Sequence, residues 1–231
     1  MPESPRISTI VPVFDRSTRL LGEAIDSALA QTHPIDEIIV VDDGSAEPVG
    51  PWLADHYGGR VIALRQDNAG IGPARNLGLD RATGDLITFL DSDDLWLPDK
   101  TESQLRLLAA EPSLEAVYGK AEQFYDEETD DDYRARHPIM QDVIESWSTV
   151  SVMMRRPAID RIGPFAPQSQ SVDIDWQARA RAVEVESTMI DQIVYRRRLH
   201  NSNMGLTRSE EGNPALLKAL REHLHRQRAQ D

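Results

Sequence analysis

Residues 37–43 read Glu-Ile-Ile-Val-Val-Asp-Asp, four consecutive β-branched apolar residues running straight into two carboxylates. A strand with one face in water alternates apolar and polar residues, whereas an unbroken apolar run is buried on both faces. The same pattern recurs in Ile-Ser-Thr-Ile-Val-Pro-Val-Phe (7–14), Arg-Val-Ile-Ala-Leu-Arg-Gln (60–66) and Asp-Leu-Ile-Thr-Phe-Leu-Asp (85–91). Between the first two, Leu20, Leu21, Ala24, Ile25, Ala28 and Leu29 recur at helical spacing, which predicts a helix over 18–31. A second helix, entered at Pro73 and released at Gly84, separates the last two. Buried strands alternating with helices predict a parallel sheet covered on both faces, an α/β fold.

The first strand is expected to stop at Pro12. Further on, the pattern predicts a helix over 98–110 behind Pro98, a strand over 115–125, a further strand in 150–156, a helix beginning near Asp173 and a late strand over 192–199. Six acidic residues fall within the seven positions 126–132, read as a solvated loop or as a mobile flap beside the site. Leu216, Leu217, Leu220 and Leu224 stripe a terminal helix over 214–228 that packs on the parent domain or makes a homodimer. The chain divides into a ligand-binding half at 1–112, a second half of the same domain at 113–208, and the terminal helix within 209–231.

Acidic strand ends limit what such a sheet can bind. Ligands of open parallel sheets sit outside the carboxyl ends of the strands. Carboxylates there accept hydrogen bonds from base N–H and ribose hydroxyl groups, or hold a hard divalent cation that shares phosphate oxygens. Asp42 and Asp43 end one strand, and Asp91, Asp93 and Asp94 follow another. Crowding of that kind is costly without a cation. The formal charge of −14 excludes a nucleic-acid polymer or an anionic membrane surface as the main partner. Without cysteine there is no thiolate zinc site and no cysteine nucleophile. No apolar run approaches the roughly 18 residues of a transmembrane span, and no targeting segment opens the chain, so a cytoplasmic location is expected.

Val-Pro-Val-Phe-Asp-Arg, the block at 27–45, the block at 68–100 and Arg-Ile-Gly-Pro-Phe at 161–165 resemble the successive signatures of family 2 glycosyltransferases. The resemblance spans about residues 7–205. It implies the GT-A fold, with a Rossmann-like, mostly parallel central sheet and helices on both faces. It also implies an inverting transfer from a nucleotide-diphosphate sugar, a UDP-sugar by expectation, with Mn²⁺ or Mg²⁺ as cofactor. On it, Pro12, Val13, Phe14, Asp42 and Asp43 line the nucleotide pocket, with Asp43 on the base. Arg75 approaches the nucleotide or the diphosphate, or else pairs with an acidic neighbour. Asp91 meets the ribose or a metal-bound water, with Ser92 beside it in the nucleotide set. Asp93 is the metal ligand, and Asp94 caps the following turn or else supports the metal site from behind. His200 is a second metal ligand or a donor to the diphosphate, and Arg197 or Arg198 neutralises phosphate.

The family places its general base in a Glu-Asp pair after a Gly-x-Phe block; here Val172-Asp173 stands at that place. Asp173 therefore matches the base, with Asp175 the alternative two residues on. At a helix start the two diverge by roughly 200°, so only one reaches the donor. A sugar-nucleotide pyrophosphorylase is disfavoured because no glycine-rich phosphate loop follows the first strand. A catalytically inactive relative that binds a nucleotide sugar or a protein is the alternative from a different class. The acceptor is unassigned among saccharide, lipid, metabolite and peptide.

Overall fold

The structure, a computed structural model, describes residues 5–167 and 172–203. Four parallel strands form its first half: β1 (Ile7–Val13), β2 (Glu37–Asp42), β3 (Ile62–Arg65) and β4 (Leu86–Phe89). They carry α1 (Thr18–Leu29), α2 (Gly50–Tyr57) and α3 (Ile71–Arg81) between them. There follow β5 (Leu95–Trp96), α4 (Lys100–Ala110), β6 (Ala116–Tyr125), α5 (Asp131–Arg136) and β7 (Val143–Ser146). The described chain closes with β8 (Met153–Arg155), α6 (Arg156–Ile162), α7 (Val172–Ala182) and β9 (Ser187–Leu199). The expected terminal helix with its leucine stripe, and with it the segment 209–231, lies outside the described residues.

All nine strands of the described residues join one sheet in the order β3-β2-β1-β4-β8-β6-β9-β5, with β7 paired to β6. The chain returns across the sheet between β1 and β4, and their carboxyl ends open the crevice where such sheets bind ligands. In the second half β8 runs antiparallel to β4 and to β6, whereas β9 runs parallel to β6.

Both faces are covered, as the unbroken apolar strands require. Ile10, Ile39, Val41 and Phe89 pack with Ala74 of α3, Ile159 of α6 and Trp176 of α7, while Val11 and Val40 pack with Leu21 and Ile25 of α1 and Leu53 of α2. Gly78 lets α3 lie against β1: a Cβ there would stand 2.5 Å from Ile10 Cγ2.

Pro12 does not end β1, which runs on to Val13 with Pro12 level with Val41. Asp43 N–H donates to Val13 O on the β2 side, and Leu90 N–H donates to Ile10 O on the β4 side. The N–H that proline lacks therefore points toward β4, past its end at Phe89, where no ladder bond is lost.

The acidic stretch at 126–132 is not wholly a solvated loop. Asp130 caps α5 by accepting from Tyr133 N–H at 2.6 Å, and Asp126 is buried against Arg19 and Arg198. The short elements α2, α5, α6, β5 and β7 have no periodic pattern long enough to announce them.

Candidate active site

The turn after β2 is built by its own two aspartates. Asp42 is 1% exposed: Oδ1 accepts from Ser45 N–H, and Oδ2 accepts from Val49 N–H and from Arg65. These bonds keep its pKa below the ordinary carboxylate value although burial works the other way. Asp42 holds the turn together. Asp43 faces the next loop, where its oxygens accept from Gln66 Nε2 (2.7 Å), Ala69 N–H (2.9 Å) and Gly70 N–H (2.8 Å). A carboxylate has about four lone-pair sites, so one remains for a ligand. Gly44 makes this approach possible, with φ of +81° and a hypothetical Cβ only 2.6 Å from Asn68 N. At the end of β1, Pro12 and Val13 are buried and Phe14 is half-buried beside this turn. Asp15 ties the two strand ends, its N–H donating to Ser45 Oγ and its Oδ1 accepting from Ala46 N–H.

Beyond β4, three aspartates meet different surroundings. The Asp91 carboxyl is pushed up to about 6: burial is the largest cause, Arg75 opposes it, and the charges of Asp173 and Asp93 add to it. Asp93 lies below the ordinary carboxylate value: burial pushes it up, but His200 Nε2 at 3.0 Å and Arg16 Nη2 at 3.1 Å outweigh that. Asp94, expected to cap the following turn, accepts from Arg198 N–H at 2.9 Å, and burial with two like charges holds its pKa well up. Ser92 is buried between them.

Arg75 stands at the centre of the site. Its side chain is fully buried, with Nη1 donating to Asp173 Oδ1 at 2.7 Å and Nη2 to Asp91 Oδ1 at 3.1 Å. The guanidinium also lies 5.8 Å from the Phe89 ring and 5.4 Å from the Phe165 ring. Of its two expected roles, the structure shows the pairing with acidic neighbours.

At the start of α7, Asp173 and Asp175 diverge. Asp173 Oδ1 carries both the Arg75 bond and one from Thr149 Oγ1 at 2.8 Å, and among the described residues no bond is made to Oδ2. Asp175 turns along its own helix to Arg179, 3.0 Å away at i+4. Of the two arginines named for phosphate, Arg198 is turned inward to Asp126, Glu23 and the carbonyl of Asp93.

Arg16 and Thr149 join the site without having been expected there. Arg16 carries a signal in the sequence, a basic residue just past the first strand at the switch point, and it spans from Asp93 to Ser202 Oγ. Thr149 carries none.

Among the described residues, no three carboxylate or imidazole groups converge to hold a metal by themselves. Asp93 with His200 offers one hard oxygen and one imidazole beside the crowded Asp91. A pair like this fits a Mg²⁺ or Mn²⁺ ion that takes its other ligands from phosphate oxygens and water.

Residues 8–175 match the family model described as Glycosyl transferase family 2. A glycosyltransferase of Rickettsia typhi is 41% identical over 105 residues, covering 46% of this chain and 32% of its own length. The putative glycosyltransferase EpsH of Bacillus subtilis is 37% identical over 115 residues, covering 48% of this chain and 33% of its own. The chain thus spans about a third of the length of these curated relatives. The crystal structure of S. aureus TarS 1–349 in complex with UDP-GlcNAc superposes with a TM-score of 0.69. It covers 87% of this chain and 60% of that one at 17% identity, a likeness of fold.

Proposed function

Because the chain belongs to glycosyl transferase family 2, we propose that it moves a sugar from a UDP-sugar to an acceptor hydroxyl with inversion, Asp173 being the general base. The observation that carries this reading is the meeting of Asp91 and Asp173 on one buried guanidinium, next to Asp93 and His200. The nucleotide-sugar complex of the TarS fold supports the donor class.

In the proposed transfer the acceptor O–H gives its proton to the open Oδ2 of Asp173 as the acceptor oxygen forms its bond to the anomeric carbon. The bond from that carbon to the β-phosphate oxygen breaks, and its electron pair leaves with the diphosphate. Arg75 and Thr149 hold Oδ1, which fixes the carboxylate plane and leaves the other oxygen for the proton. Asp43 keeps one acceptor site for the base, and Phe14 gives it an apolar wall. Asp93 and His200 would hold Mn²⁺ or Mg²⁺, which when bound would take up charge on the leaving diphosphate.

Calorimetry with UDP and a panel of UDP-sugars, with Mn²⁺, with Mg²⁺ and with chelator, tests the donor and metal assignments. A nucleotide-release assay tests the base. Metal-dependent binding with slow release that is lost in Asp173→Asn is the expected result. Binding of no nucleotide sugar under any condition would overturn the reading.

A further inference from the structure

Trp147 is an indole in an unusual place. It is 42% exposed, on the loop between β7 and β8, its ring tilted by 48° against the Tyr118 ring at 4.9 Å between centroids. Tyr118 O–H in turn donates to Gln177 Oε1 at 3.0 Å. Gln177 lies four residues after Asp173, on the same side of α7. The loop makes a second link: Thr149, two residues after Trp147, donates to Asp173 Oδ1 at 2.8 Å. Two short routes therefore join an exposed aromatic face to the proposed base.

Beside Trp147 lies an open cavity of about 180 Å³ bounded by Lys120, Glu145, Met189, Ile190 and Asp191. Lys120 and Asp191 form an ion pair at its rim. Gln177 Nε2 is buried with no hydrogen-bond partner among the described residues. An unmet donor is costly unless something else accepts from it.

We propose that this surface is an acceptor subsite for an oligosaccharide, with Trp147 stacked under the sugar unit next to the one that receives the transfer. The inference rests on Asp173 as the base. A pyranose has an apolar C–H face and a rim of hydroxyls. The indole matches the face, and Lys120, Glu145 and Asp191 supply donors and acceptors for the rim. Asp173 is not among the residues around the cavity, so a ring seated there is not the ring whose hydroxyl is deprotonated. Filling both positions takes at least two linked units. A lipid tail would meet a charged rim, and a net charge of −14 opposes an anionic bilayer.

Tryptophan fluorescence tests this directly. Trp96 and Trp176 are buried and Trp52 is half-buried, so a Trp52→Phe background leaves acrylamide quenching to report on Trp147. The probes are β-1,4-linked tetrasaccharides of glucose and N-acetylglucosamine, the α-1,4-linked glucose tetrasaccharide, the two monosaccharides, and phosphatidylcholine vesicles. At least one tetrasaccharide should shield the indole, while its monosaccharide at equal concentration does not. Calorimetry should then give at least about tenfold weaker binding of that tetrasaccharide to Trp147→Ala. Shielding by vesicles alone, shielding by no saccharide, or unchanged affinity in Trp147→Ala would overturn the proposal. UDP affinity of the unsubstituted chain is measured alongside. Its absence sinks the donor reading, whereas UDP binding without saccharide shielding sinks the subsite alone.

Discussion

Arg75 Nη1 and Asp173 Oδ1 meet at 2.7 Å although 98 residues separate them in the chain. The bond joins the parallel half of the sheet to the helix that carries the proposed base. Arg75 is fully buried, while its two carboxylate partners are partly open to water. Removing the arginine therefore exposes the carboxylates to each other's charge and leaves a hole between Phe89 and Phe165. Arg75→Ala should destabilise the fold by about 3 kcal/mol in urea unfolding, the range for a broken buried pair. Arg75→Lys keeps the charge without the two-pronged reach and should lower nucleotide release by about 10²-fold with the fold intact.

The two α7 aspartates should separate in one assay. Loss of a general base costs roughly 10²–10⁴-fold in turnover, the range expected of Asp173→Asn. Asp175→Asn removes only an i,i+4 pair with Arg179 and should cost about 0.5 kcal/mol of stability with turnover within about twofold. Equal losses in both variants would contradict the assignment.

Acid should loosen the molecule through Asp126. Burial alone would raise its pKa, yet hydrogen bonds from Arg19 and Arg198 hold it down at about 2. A carboxylate depressed in the folded state contributes stability that is complete above its unfolded value and lost as pH falls through its folded one. The contribution, about 2 kcal/mol, should therefore disappear between roughly pH 4 and pH 2. Urea unfolding at stepped pH should show this fall, and Asp126→Asn should flatten it.

Lys100 gives the opposite dependence. Its ammonium lies 4.5 Å over the Trp96 ring and 2.7 Å from Gln104 Oε1, and burial pushes it down to about 7. The folded chain binds this proton less readily than the unfolded chain, so stability falls as pH drops from roughly 10 toward 7. Lys100→Met should raise stability by about 1 kcal/mol near pH 7, after the cost of leaving Gln104 Oε1 unpaired. By about pH 10 the gain should turn into a small loss, since only the cost at Gln104 is left, and thermal melts at both values check it.

Several features of the site are legible in the amino-acid order alone. The apolar runs place β1 to β4, and the carboxylates at their ends mark the crevice, because burial on both faces leaves only strand ends for polar groups. The resemblance to the family stands, with residues 8–175 matched and the GT-A fold shared. Arg198, one of two arginines that the resemblance sends to phosphate, turns inward to Asp126, and Asp42 spends its oxygens on its own turn and on Arg65. Lone short elements such as α5 and β7 are not legible, since each buries a single residue, Tyr133 in one and Ser146 in the other, and shows no apolar repeat.

What the sequence determined by itself is the alternation of buried strands and helices, since hydrophobic period is a local property of the chain. It also determined which positions carry carboxylates. Which carboxylate faces which cation was decided only in the folded molecule. Asp43 serves a loop more than twenty residues away, Asp93 meets His200, and Asp173 meets Arg75 and Thr149. Those pairings depend on strand order and on how α7 lies against the sheet. Burial then sets the charge of each group through partners that sequence distance does not reveal.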